Sequence, residues 1–128
     1  MSGKKIMLVD DDKDTVRAMG VRLKSRGYNL VVATDAISAI STARKEKPDL
    51  IVLDLGLPGG DGFVVMQRLK SNYDLVLVPI IVVSARDPLM NEERALAAGA
   101  EAFLQKPVDN AEFLKAIEGA LTKVGRPA

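Results

Sequence analysis

The run IMLVDDDKD, residues 6–14, drives four apolar residues straight into three consecutive aspartates, and a further carboxylate, Asp54, closes the apolar run LIVLD. Ser84 ends the run VPIIVVS, and Lys106 follows the run EAFLQ. Clustered carboxylates repel, so Asp10, Asp11 and Asp54 brought together without a cation must raise at least one pKa. Magnesium takes oxygen ligands, keeps several of its waters and needs neither His nor Cys. The formal charges of Asp10, Asp11, Asp54 and Lys106 sum to −2, which one Mg²⁺ neutralises; calcium is the competing cation. A carboxylate is also a competent nucleophile towards phosphorus. Phosphoryl transfer asks a protein mainly for positioning and charge stabilisation, so metal, ammonium and hydroxyl around one Asp form a sufficient set. Asp54, the central residue, is the candidate acceptor.

The chain has no histidine and no cysteine. That removes Cys/His zinc sites, Ser-His-Asp and Cys-His catalysis and the HExxH motif. Its net charge of +1 and 4% aromatic content give neither a basic surface nor a stacking platform, so direct nucleic-acid binding is disfavoured. The apolar run after Lys4 and Lys5 is too short for a secretory signal, and no run reaches the length of a membrane span. A soluble cytoplasmic protein is expected, and 128 residues suit one domain.

The elements that must position these groups are legible as an alternation. Apolar runs at 6–9, 29–33, 50–54, 78–84 and 101–105 are separated by helix-length segments, the pattern of repeated βα units with a parallel sheet covered on both faces. Val16, Met19, Gly20, Leu23 and Lys24 follow a helical period closed by Gly27, and Phe113, Ile117, Ala120 and Leu121 form the stripe of the last helix. Asp12 or Asp14, Asp35, Asp61, Asp87 before Pro88, and Asp109 are candidate N-caps, while Gly99 ends the fourth helix. Pro79 opens the fourth strand, where a missing N–H is tolerated. The domain is expected over 1–124, with a flexible tail at 125–128. In open α/β sheets ligands bind beyond the carboxyl ends of the strands. With a strand order of 2-1-3-4-5, a flavodoxin-like doubly wound (βα)5 fold, the five polar residues converge there.

Each residue has an ordinary role as well. Aspartates after strands cap helices, Ser84 and Lys106 could be turn residues, Phe103 a core residue, and Gly59, Gly60 and Gly62 turn glycines. Capping needs one aspartate at the first strand end, however, and leaves Asp10 and Asp11 as surplus charge.

LVDDD (8–12), DLGLPGGDGF (54–63), PIIVVSA (79–85) and FLQKP (103–107) together resemble the receiver domain of two-component response regulators, of the single-domain chemotaxis-regulator type. The resemblance covers nearly the full chain. It implies that Asp54 accepts a phosphoryl group from a phosphohistidine on a sensor histidine kinase or histidine phosphotransfer protein, a donor this histidine-free chain would meet in trans. It also implies that Asp10, Asp11, Asp54 and the backbone carbonyl of Gly56 arrange Mg²⁺, and that Ser84 and Lys106 bind the phosphoryl oxygens. Lys106-Pro107 is then expected to be cis. Ser84 and Phe103 are expected to couple as a switch that alters the face of the fourth helix, fifth strand and fifth helix, read by a downstream effector or used in a phosphorylation-dependent homodimer. The chain would promote only its own phosphorylation and dephosphorylation and act on no other substrate.

Departures from the common pattern are Ser84 where threonine is frequent, Phe103 where tyrosine often sits, and Val64-Val65 where a glutamate is frequent nearby. Gly56 and Arg86 flank the expected phosphoryl position; Gly56 leaves it open to water and Arg86 shields it or pairs with it. Three other readings compete. A haloacid-dehalogenase-type phosphatase needs a second Asp at position 56, which is Gly. A flavin binder lacks aromatic residues to stack. A receiver-like interaction module that is never phosphorylated would not need the five polar residues.

Overall fold

The computed structural model describes residues 3–124, with the side chains of residues 123 and 124 outside that description. The expected tail, 125–128, also lies outside the described residues. Ten elements alternate along the chain: β1 (Lys5–Val9), α1 (Lys13–Ser25), β2 (Asn29–Ala33), α2 (Ala36–Glu46), β3 (Leu50–Leu53), α3 (Gly62–Ser71), β4 (Ile80–Ser84), α4 (Pro88–Ala97), β5 (Ala102–Gln105) and α5 (Asn110–Val124). All strand pairs are parallel, in the order β2-β1-β3-β4-β5. This is the flavodoxin-like arrangement expected from the alternation.

The period of two along each strand divides the core. Ile6, Leu8, Leu50, Val52, Ile81 and Val83 face α1 and α5, packing with Leu23, Phe113 and Ile117. Met7, Val9, Ile51, Leu53 and Val82 face the other way, onto Ala39 and Ala43 of α2, Met66 and Leu69 of α3, and Ala95 of α4. Both sets are buried, which is why β1, β3 and β4 read as unbroken apolar runs. Among the described residues no helix is long and apolar enough to cross a membrane.

Capping follows the expected chemistry at four helices. Asp35 accepts from the Ser38 N–H, Asp61 from Phe63, Asp87 from Leu89 and Asp109 from Glu112. Gly27 and Gly99 adopt φ of 85° and 109° after α1 and α4. The first helix departs from expectation. Asp12 holds the N-cap position, yet neither it nor Asp14 caps through its side chain; the Asp12 carboxylate instead accepts from the Thr15 hydroxyl. Lys24 is exposed, because a long cation at the edge of the stripe stays in water. The strands are shorter than the apolar runs at three ends. Asp54 lies one residue past β3, Pro79 immediately before β4, and Glu101 before β5.

Candidate functional site

Register brings the polar residues together. Val9 pairs with Leu53, so the next residues, Asp10 and Asp54, leave adjacent strands side by side. The Asp54 N–H still donates to Val9 O at 2.9 Å, and the Asp10 N–H to Ala33 O at 3.1 Å. Ser84 pairs with Gln105, and the Lys106 N–H donates to Ser84 O at 2.8 Å, carrying β5 one residue further to aim its amine at β1 and β3. The Lys106-Pro107 peptide is cis, as expected from the resemblance.

Lys106 Nζ lies 2.7 Å from Asp10 Oδ2 and 3.5 Å from Asp54 Oδ2. One carboxylate oxygen from each of Asp10, Asp11 and Asp54 falls within 4.8 Å of the others, with Asp10 and Asp54 buried and Asp11 exposed. This all-oxygen set fits a hard divalent cation, open to water on the Asp11 side. Asp10 is more than surplus charge: its Oδ1 accepts the Asp12 N–H at 2.9 Å, which fixes the carboxylate by its own turn. Asp54 Oδ1 accepts the Gly56 N–H at 3.2 Å. Ser84 is fully buried, and its Oγ accepts the Arg86 N–H at 3.0 Å.

The electrostatics follow from this crowding. Burial raises the Asp54 carboxyl above its ordinary value and the Asp10 charge adds to the rise, while the Gly56 N–H and Lys106 oppose it. Burial alone lowers Lys106, but the hydrogen bond to Asp10 and the charges of Asp54 and Asp10 outweigh it, so the ammonium is held above its usual range. The lysine is a fixed cation at the site.

Phe103 sits on β5 opposite Val82, on the same sheet face as Ser84 and half-buried against the α2–α4 side of the core. Arg86 reaches across to the loop that follows Asp54. Its Nη2 donates to Leu55 O at 3.3 Å, and its Nη1 lies 4.0 Å from Asp61 Oδ1. The guanidinium therefore ties the segment after β4 to the segment after β3, beside the candidate acceptor.

Two positions acquire a meaning that residue types alone did not carry. Gly62 is the first residue of α3, and a Cβ there would stand 2.5 Å from Leu55 Cα. The helix start is thus pressed against the backbone next to Asp54. Pro58 O accepts the Ala36 N–H at 3.1 Å, which ties the same loop to the start of α2. The D-G dipeptide at 61–62 was the available signal for Gly62, since Asp61 already caps α3 and a separate turn glycine is not needed.

Comparison with known proteins agrees with this geometry. The family model for the response regulator receiver domain matches residues 6–118. The transcriptional regulatory protein KdpE of Mycobacterium tuberculosis is 33% identical over 118 residues, covering 92% of this chain and 51% of KdpE. The chain thus spans about half the length of the curated relatives it matches. Among solved structures, the CheY-like receiver domain protein of Methanospirillum hungatei superposes with a TM-score of 0.88 at 27% identity, over 96% of this chain and 97% of that one. The receiver domain of the sensor histidine kinase PA1611 from Pseudomonas aeruginosa, which holds a magnesium ion in its active site cleft, superposes at 0.86 with 28% identity, over 94% and 99%. By the match over 6–118 and the placement of its polar residues at the sheet edge, this chain belongs to the response regulator receiver domains of two-component systems.

Proposed function

We propose that this chain is a phospho-accepting receiver in which Asp54 takes a phosphoryl group from a phosphohistidine of a sensor histidine kinase or histidine phosphotransfer protein. The observation that carries the reading is the meeting of three carboxylates within 4.8 Å and a lysine amine 3.5 Å from Asp54. A carboxylate oxygen of Asp54 forms the new P–O bond as the P–N bond to the donor imidazole breaks, and the imidazole leaves with a proton from solvent. Lys106, held protonated, meets the negative charge of the phosphoryl oxygens, and Ser84 offers its hydroxyl proton to one of them.

Asp10, Asp11, Asp54 and the Gly56 carbonyl are the residues assigned to Mg²⁺. When bound, the ion supplies positive charge against the carboxylates and the phosphoryl oxygens. Movement of Ser84 towards the phosphoryl group vacates space on the sheet face it shares with Phe103, whose ring follows inward. The altered face of α4, β5 and α5 is then read by an effector protein or by a second copy in a phosphorylation-dependent homodimer. The setting is cytoplasmic, and the chain modifies no substrate other than itself.

Intact mass after incubation with a small-molecule phosphodonor tests the reading, with Mg²⁺ and with chelator. One phosphoryl group added only with Mg²⁺, and absent from Asp54→Ala, is expected. No addition, together with no Mg²⁺-dependent binding of beryllofluoride, a stable phosphoryl mimic, refutes it in favour of an interaction module.

A further inference from the structure

The Val64-Val65 pair splits on folding. Val65 is buried in the core, whereas Val64 is 45% exposed and faces a groove between α2 and α3. On the opposite wall Ile37 is 77% exposed and Ile40 half-buried. Spacing builds both walls: Ile37, Ile40 and Arg44 lie three and four residues apart on α2, and Val64 and Arg68 four apart on α3. The groove of about 430 Å³ therefore begins apolar, against Gly59 and Gly60 of the loop after Asp54, and ends between two arginines. It continues past Arg44 and Arg68 into a second hollow of about 550 Å³ that shares those residues with it.

Charge decides what fits. Both guanidiniums are exposed, and neither has an ion-pair partner among the described residues. Of the nearby acids, Glu46 pairs with Lys5 at 3.1 Å, and Asp61, which lines the Gly59–Gly60 end of the groove, accepts the Phe63 N–H and lies 4.0 Å from Arg86. α3 itself carries no acidic residue. An apolar strip with uncompensated positive charge at one end is complementary to a short helix bearing an apolar ridge followed by carboxylates, the helix-in-groove mode of recognition.

We infer that the α2–α3 groove is a docking site for an acidic amphipathic helix of a partner protein, its apolar ridge on Ile37, Ile40 and Val64 and its carboxylates on Arg44 and Arg68. The walls run about 10 Å, from Ile37 to Arg44 at 1.5 Å per residue, which seats two helical turns. The inference goes beyond phosphoryl acceptance, since no lining residue is assigned to the metal or the phosphoryl group.

The probe is a synthetic 14-residue helical peptide with leucines at i, i+3 and i+4 and glutamates at i+7 and i+8, alongside a twin with lysines for the glutamates. Binding is followed by methyl NMR of the full chain. The acidic peptide is expected to shift the Ile37, Ile40 and Val64 methyls in a saturable way. Its affinity is expected to fall at least tenfold with Arg44→Ala plus Arg68→Ala, a variant that melts with the wild type because both side chains are exposed and unpaired. Val64→Glu, which places a carboxylate on the apolar strip, is expected to weaken binding as well. Absence of shifts, or equal binding of the lysine twin, overturns the proposal. So do shifts of the same methyls that grow with protein concentration alone, which make a second copy the occupant.

Discussion

Gly62→Ala is the substitution whose cost the structure states most directly. A Cβ at this position would stand 2.5 Å from Leu55 Cα, 2.9 Å from Leu55 O and 3.0 Å from Asp54 O. Carbon atoms rest in contact at about 3.5–4.0 Å, so the two segments must part by about 1 Å. No flexible side chain can yield, because all three opposing atoms belong to the main chain. Leu55 is fully buried, and the Gly62 N–H donates to its carbonyl at 3.0 Å, so parting also stretches that bond and opens the core. Overpacking of this kind costs about 1–3 kcal/mol. At about 4 °C per kcal/mol for a domain of this size, the melting temperature should fall by about 4–12 °C.

The functional consequence is separable from the loss of stability. Residue 54 is the neighbour of the backbone that must move, and a displacement of about 1 Å at a reacting group costs up to about 10²-fold in rate. Phosphorylation by a small-molecule donor, measured by intact mass well below the melting transition, is therefore expected to slow about 10- to 100-fold. Gly119→Ala is the control: its Cβ meets nothing within 4 Å on an exposed face of α5, so relief of helix-interior glycine should stabilise by about 0.5–1 kcal/mol with the rate unchanged. A Gly62→Ala protein that melts and phosphorylates as the wild type does would falsify the claim that this close approach sets the position of Asp54.

Lys106→Met strips the partner from the buried Asp10 carboxylate at 2.7 Å and should cost about 3–5 kcal/mol by urea unfolding in chelator, with Mg²⁺ restoring part of the loss; equal midpoints in chelator would refute it. Asp54 has its folded-state pKa raised by burial, so the native state holds its proton more tightly than the unfolded chain does. Its stabilising contribution is then complete below the ordinary aspartate value of 3.8 and is lost as pH rises through the higher folded pKa. In chelator, Asp54→Asn is expected to gain on the wild type across that window and to hold its advantage above it; denaturation midpoints across pH that stay parallel would contradict this. Arg86→Ala removes the tie to Leu55 O and Asp61, and the lifetime of the aspartyl phosphate, timed by mass, is expected to shorten several-fold.

The fold was legible because β1, β3 and β4 are buried on both faces and their apolar runs match the strands to within two residues. Caps were legible where one Asp precedes a helix without competition. They failed at Asp12, where three adjacent aspartates share one strand end and the Thr15 hydroxyl takes the carboxylate that a backbone N–H was expected to use. The site was legible because side-chain chemistry and strand ends coincide in Asp10, Asp54, Ser84 and Lys106. Packing relations between loops were not, since Arg86 reaches Leu55 across 31 residues and Gly62 is distinguished only by what lies opposite it.

The same charges that prepare the site also oppose the fold. Asp10 and Asp54 are buried side by side with one ammonium between them, and it is chiefly burial, with the Asp10 charge adding to it, that raises the Asp54 pKa. An apolar core residue at either position would avoid the desolvation, as replacement of buried ion pairs often does. What such a residue cannot do is gain interaction energy when positive charge arrives. A cation added to the three carboxylates would relieve repulsion already present in the folded chain, and Lys106 is held charged beside them. On the proposed function, cation and phosphoryl group would each act on this crowded arrangement of charge at the carboxyl edge of the sheet. The segments bordering that edge are tied to it by Gly62 on Leu55, Ala36 on Pro58, and Arg86 on Leu55 and Asp61. In the proposed receiver, excess charge at the sheet edge is bordered by loops tied to α2, α3 and the start of α4, so a local change in charge would be felt first by those helices.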